Sequence, residues 1–502
     1  MPKKTIPDHC RRVVIAVFFW LSCSALLQAR HFEFTPMARQ AYNKAISLRF
    51  GEAYNLMAQM RLKDPDNLIV YHLENYIDFF KVYIHENEAE YRELKKKVDA
   101  RLEAIAEGDP SSPYYLFVQA DIRLQWALVK LRFEDYVGAF TDVSKAHKLL
   151  QANEEAFPDF ILNKKDLGIL HAMVGTIPDS YKWGVKLLGG LEGTIEQGKR
   201  EIEAVLEHAR HHDFIFEQET HVLYAFLLLH LDNKEKAAWQ AVQRAGLTPA
   251  SNPLHCFVMA NIAMRTGKNE TAIQLLQNRP ARGGIIDFPY LDYMLGLAKL
   301  RRLDADAAPY FHSYLKNYQG RNFVKEAYQK LAWQSLINED LPGYKRYMEQ
   351  CLSEGHSIAG GDKNAQREAR EGTPPNLLLL KARLLFDGAY FSKGYELLQS
   401  AGAAAFSGKD ELEYYYRLGR LYHGQKQYER ALQYYTRTIE KGQDSKYYYA
   451  CNAALQKGMI YEQQQQKQKA IQAYEQCLEL KPSEYRLGLH QKAKAGLARI
   501  SK

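Results

Sequence analysis

From about residue 35 onward, apolar residues recur every three or four positions, and no stretch alternates convincingly between apolar and polar. That period predicts helices throughout. Thr35-Pro36 is a suitable N-cap and first-turn pair for the first of them. Helical stretches are expected over Leu73–Ala106, Pro113–Lys130 and Tyr136–Leu150, with a break at Gly108-Asp109-Pro110. Between Leu412 and Pro482 the pattern repeats itself. Gly419 and Gly458 are each followed three residues later by a tyrosine, Tyr422 and Tyr461. Twelve residues after each glycine stands an alanine, Ala431 and Ala470, and four further on an aromatic, Tyr435 and Tyr474. A small residue in each of two successive helices lets them pack closely as an antiparallel pair, and the aromatics fill the space between pairs.

These small, small, aromatic and Pro482 positions resemble the tetratricopeptide repeat (TPR), whose period is about 34 residues. The resemblance implies an all-α fold, a TPR-type α–α superhelix of antiparallel helix pairs. A compatible register runs upstream through Ala225, Ala260, Gly296, Ala332, Ala382, Gly419 and Gly458. Twelve residues later stand Ala237, Ala272, Ala308, Tyr344, Gly394, Ala431 and Ala470, so Tyr344 is the exception among small residues. Ala41 and Ala53, with Pro65 after them, and Ala127 and Ala139 repeat the spacing nearer the N-terminus. The long step from Ala332 to Ala382 contains a polar Gly/Pro-rich stretch, residues 355–376, expected to be an inserted loop. Gln491–Ile500 reads as a capping helix. The expected divisions are therefore 1–29, an N-terminal helical, TPR-like region 30–215, and a TPR array 216–502.

The resemblance also implies which side chains line the concave face. The TPR pattern carries onto Tyr290, Tyr293, Leu297 and Leu300, then Gln329, Trp333 and Leu336. It continues through Leu379, Arg383 and Phe386 to Tyr416, Arg420 and His423. Tyr, Trp and Arg dominate binding hot spots, so the expected ligand is a protein or peptide segment, held without a cofactor.

Glycines at 168, 175, 184, 189, 190, 193 and 198 suggest a Gly-rich connection between two helical bundles. No strand precedes them and neither phosphate-loop motif is present, which argues against nucleotide binding. Gly175, Pro178, Leu188-Gly189, Glu192-Gly193 and Gly198 resemble a segment of a eukaryotic TPR family named for inclusion-body clearance, whose members include mitochondrial outer-membrane proteins. His208 and His212 lie one helical turn apart and could meet one metal ion. Arg210 between them, and their place near a helix C-terminus, favour a dipole role instead. No Ser-centred elbow, HExxH or catalytic Cys/His motif stands out, so no enzyme and no metal are expected.

Lys3, Lys4, Arg11 and Arg12 precede the apolar run Val13–Leu27, and Ala29 ends it. This is the form of a secretory signal peptide, with an uncleaved anchor or lipidation at Cys23 as alternatives. Those four cations, less Asp8, supply three of the eight net positive charges. The remainder is too dilute to indicate nucleic acid. Cys256, Cys351, Cys451 and Cys477 are far apart in sequence and make no zinc or disulfide framework, so they are expected as small packing residues. Export without a disulfide pattern fits the periplasm or outer-membrane periphery of a bacterial envelope. The expectation is a protein-binding scaffold there, with possible membrane association through the N-terminus. The alternatives are an outer-membrane assembly component and a carbohydrate-binding helical-repeat protein.

Overall fold

The structure, a computed structural model, describes residues 30–175, 190–281 and 283–501. The leader-like segment 1–29, Pro178 and Leu188-Gly189 lie outside them. The described residues form 24 α-helices, with one isolated β-bridge between His31 and Asn67. The first four hairpins are α1 (Pro36–Ile46) with α2 (Phe50–Lys63), α3 (Ile69–His85) with α4 (Glu88–Ala106), α5 (Tyr114–Arg132) with α6 (Tyr136–Ala156), and α7 (Leu162–Gly175) with α8 (Ile195–His211). Then come α9 (Glu217–His230) with α10 (Glu235–Arg244), α11 (Pro253–Arg265) with α12 (Asn269–Gln277), and α13 (Tyr290–Arg302) with α14 (Ala308–Asn317). Helices α15 (Val324–Ile337) and α16 (Leu341–Ser353) are joined by a third, α17 (Gly360–Glu371). The last pairs are α18 (Leu377–Asp387) with α19 (Phe391–Ala401), α20 (Lys409–Gly424) with α21 (Tyr428–Gly442), and α22 (Tyr449–Gln463) with α23 (Lys467–Glu479). Helix α24 (Arg486–Ser501) covers the end. Successive pairs pack in sequence order, and the first helices stack on one another. This is the TPR-like α solenoid.

The close approach expected of the small residues is present. A β-carbon at Gly419 would lie 2.7 Å from the Tyr435 ring, and one at Gly458 would run into Tyr474. Ala41, Ala53, Ala260, Ala272, Ala332, Ala382, Ala431 and Ala470 are all fully enclosed. At two hairpins the second position is shifted by one residue, with Ala238 and Ala307 enclosed rather than Ala237 and Ala308. One residue turns a helix by roughly 100°, so a small change in the turn moves a different alanine inward. The glycines around 168–198 are not merely a connection. Gly168 and Gly198 face each other where α7 crosses α8, and a β-carbon on Gly198 would collide with the Gly168 carbonyl and Ala172. Gly175 and Gly193 similarly lie against backbone, of Thr194-Ile195 and His171.

Two other expectations are corrected. Leu73–Ala106 is two helices: α3 ends at Glu86, which takes a left-handed conformation (φ 49°), and Asn87 caps α4 through the amides of Ala89 and Glu90. Residues 355–376 are not all loop, because α17 folds inside them. Asp362, Ala365 and Ala369 form its buried stripe, and Asp362 accepts the Phe323 and Glu326 amides at 2.7 and 3.0 Å, capping α15 from outside. The four cysteines are free and buried, as expected of packing residues, and Cys451 and Cys477, 26 positions apart, meet between α22 and α23 with 3.6 Å between sulfurs. Antiparallel pairing brings them to the same level.

Long-range bonds tie the early hairpins to the middle of the chain. Asn322 donates its side-chain amide to Glu86 at 2.6 Å, and the Ile286 amide donates to the Leu48 carbonyl at 3.1 Å. Lys165, on α7, sits among Asp166 (2.8 Å), Glu219 (2.6 Å) and Asp121 (3.4 Å), linking α5, α7 and α9 across the boundary expected at 215/216.

The three kinds of glycine should respond differently to alanine. Gly198→Ala, against rigid backbone, should destabilise most, and Gly458→Ala, against a ring, by about 1–3 kcal/mol. Gly488→Ala in α24 meets nothing within 4 Å and should be neutral or stabilising by up to about 1 kcal/mol. Urea unfolding followed by circular dichroism checks the order.

Candidate functional site

The thirteen side chains expected on the concave face do not share one environment. Tyr293, Trp333, Tyr416 and Gln329 are 2%, 2%, 1% and 3% exposed. Tyr293 is enclosed by Tyr290, Phe311, Tyr314 and Phe323. Trp333 and Gln329 lie under α17, where Glu368 accepts the indole N–H and the Gln329 amide, each at 2.7 Å. The inserted helix lies over the surface that the repeat pattern assigns to a ligand, so these two side chains are covered. Lys330 and Arg383 pack over the indole ring at 3.9 and 4.9 Å. Trp333 is thus closed to a stacked sugar. The Tyr416 hydroxyl accepts from Asn452 at 2.8 Å and from Arg420 at 2.9 Å, orienting the arginine. Tyr290 is half-buried and lines a separate cavity among the early hairpins, and Leu297 packs half-buried in the central core.

Arg383, Phe386, Arg420 and His423 do come together, all half-buried on α18 and α20. The Arg420 guanidinium lies over the Phe386 ring at 4.4 Å. Neither Arg383 nor Arg420 has an ion-pair partner among the described residues, although Asp387 stands near enough to favour both charges. Arg417, one turn from Arg420, is neutralised by Glu413 at 2.6 Å, which also accepts the Tyr449 hydroxyl. The result is two planar, stacked guanidiniums, Arg383 over Trp333 and Arg420 over Phe386, in no ion pair among the described residues. Such guanidiniums suit carboxylates, which they bind through two parallel N–H bonds.

Residues 412–440 and 452–484, covering α20 to α23, match the tetratricopeptide-repeat family. Helices α20 to α23 carry tetratricopeptide repeats. No curated protein matches it. TPR arrays generally bind protein partners and serve as scaffolds rather than catalysts.

The surroundings of these four side chains include residues that the repeat pattern alone does not select. Glu413 and Arg417 are four apart on one helix, a spacing visible in sequence as an ion pair. Arg367 of α17 stacks over Tyr485 at 4.3 Å, joining the inserted helix to the turn before α24. Nothing local in the sequence signals that contact. Outside the groove, His208 and His212 stack at 4.0 Å between ring centroids, and the His212 Nδ1 lies 2.9 Å from the His208 carbonyl, as one turn of a helix end permits.

His423 reports on this cluster. Burial, and then the charge of Arg420, push its pKa down to about 4. Unfolded, it takes up a proton near pH 6.5, whereas folded it resists until about pH 4. Its contribution therefore stabilises the fold fully above about pH 6.5 and is lost as pH falls towards 4. Histidine NMR should show a neutral ring at pH 5, and His423→Gln should flatten the pH dependence of stability between those limits.

Proposed function

We propose that this TPR protein is a non-enzymatic scaffold of a bacterial cell envelope. Its α18–α20 groove holds a carboxylate-bearing segment of a partner protein. The observation that carries this reading is the pair Arg383 and Arg420, half-buried on adjacent first helices, packed on Trp333 and Phe386, and in no ion pair with any described residue, although Asp387 stands near both. A desolvated cation is costly until an anion meets it, and a segment carrying Asp, Glu or a free C-terminus supplies that anion. Phe386 offers an apolar contact between the two. The basic and apolar leader-like residues 1–29 support export to the periplasm or the outer-membrane periphery. Among the described residues no helix is long and apolar enough to cross a membrane.

An Asp/Glu-rich peptide should bind the full chain, and its Asn/Gln counterpart should not. Charged hydrogen bonds contribute about 1.5–3 kcal/mol each, so Arg383→Gln or Arg420→Gln should weaken binding about 10- to 100-fold with helicity unchanged. Affinity should fall as salt rises. Equal binding of both peptides, or of the parent and the double variant, contradicts the assignment.

A further inference from the structure

Apart from the TPR groove, the first helices of the early hairpins enclose a second space. A cavity of about 470 Å³ lies among α1, α3, α5, α7, α9, α11 and α13, every one the first helix of its pair. The long-range bonds from Asn322 to Glu86 and from Ile286 to Leu48 hold its two sides together. The volume falls in the range of small-molecule sites. Much of the wall is aromatic, including Tyr76, Phe80, Tyr83, Phe257 and Tyr290.

One end is charged and unbalanced. Lys165 supplies a single ammonium to three carboxylates, Asp121, Asp166 and Glu219, and all four line the cavity. Asp121 is further engaged by His72 and Gln125, each at 2.7 Å, and Glu219 accepts the hydroxyls of Tyr42 and Tyr76. Asp166 is the exception. It is only 4% exposed, its Oδ1 takes the Lys165 ammonium, and its Oδ2 has no hydrogen-bond partner among the described residues. Elsewhere in the wall, Glu86 and Arg132 neutralise each other at 3.0 Å. Leu128, 44% exposed, and Arg265, also exposed, are lining residues that reach solvent.

We propose that this cavity binds a small organic cation, an amine or quaternary ammonium on an apolar body, with its charged end at Asp166 and its body between the aromatic walls. A buried carboxylate oxygen without a donor favours a ligand that brings one. Aromatic faces attract cations as well as burying apolar surface. An anion would meet a cluster in which Lys165 is already outnumbered, so the charge imbalance selects against it.

Calorimetry on the full chain tests this with three probes of one body: 4-phenylbutylamine, 4-phenylbutanol and 4-phenylbutyrate. The amine should bind at one site, at least tenfold tighter than the alcohol, with the acid weakest. Asp166→Asn should remove the amine's advantage. Leu128→Trp, at an exposed lining position, should weaken the amine and alcohol together, and it keeps the test decisive if Asp166→Asn fails to fold. The Arg383→Gln/Arg420→Gln variant should bind the amine as the parent does, which separates this site from the TPR groove. Equal affinity for amine and alcohol, preference for the acid, or no binding at millimolar concentration overturns the proposal.

Discussion

Close approach of small residues to large rings is the constraint on which the rest of the molecule depends. Where Gly419 meets Tyr435 and Gly458 meets Tyr474, one β-carbon would separate the helices of a pair. Close hairpins stack in turn, so each first helix lies on the next and their inner faces form one continuous surface. Burial of the tyrosine rings then stabilises the pair and fixes its spacing together. At α7 and α8 the same constraint is met by glycine on both sides, Gly168 against Gly198, with backbone touching backbone.

Two departures from regular stacking divide that inner surface. Bonds from Glu86 to Asn322 and from Leu48 to Ile286 bring the early hairpins against the middle of the chain, so their inner faces enclose a cavity with charge at one end. Further on, α17 lies over α15 and covers Gln329 and Trp333. Beyond it, α18 and α20 keep Arg383, Phe386, Arg420 and His423 only half-buried. The same architecture thus yields a cavity, a covered face and a half-buried cluster of cations and rings in succession.

Much of this was readable before the structure. The helical period, the twelve-residue spacing and the repeat at 412–482 sufficed for the fold, because each depends on residues close in sequence. Register alone assigns Arg383, Arg420, Phe386 and His423 to one face, and the structure leaves all four half-buried. Exposure was not readable at Trp333 and Gln329, since it depends on a helix about thirty residues away whose buried stripe, Asp362, Ala365 and Ala369, is short and only weakly apolar. Tyr293 and Tyr416 were assigned to a surface that neighbouring rings close. The cavity is illegible in the sequence for the same reason: Lys165, Asp121 and Glu219 are far apart in sequence and look like ordinary surface charges until stacking brings them together. Asn87, followed three residues later by Glu90, could have revealed the break between α3 and α4.

The most direct test of the central claim is site-specific cross-linking in cells, with a photo-reactive phenylalanine derivative placed at Phe386 or, as an outer-surface control, at Tyr136. Tyr136 is 61% exposed at the start of α6, on a second helix. The account predicts a discrete protein adduct from position 386, lost when Arg383 and Arg420 are both changed to glutamine, and no such adduct from position 136. An adduct from 386 that survives loss of both arginines, or the same adduct from both positions, would contradict it.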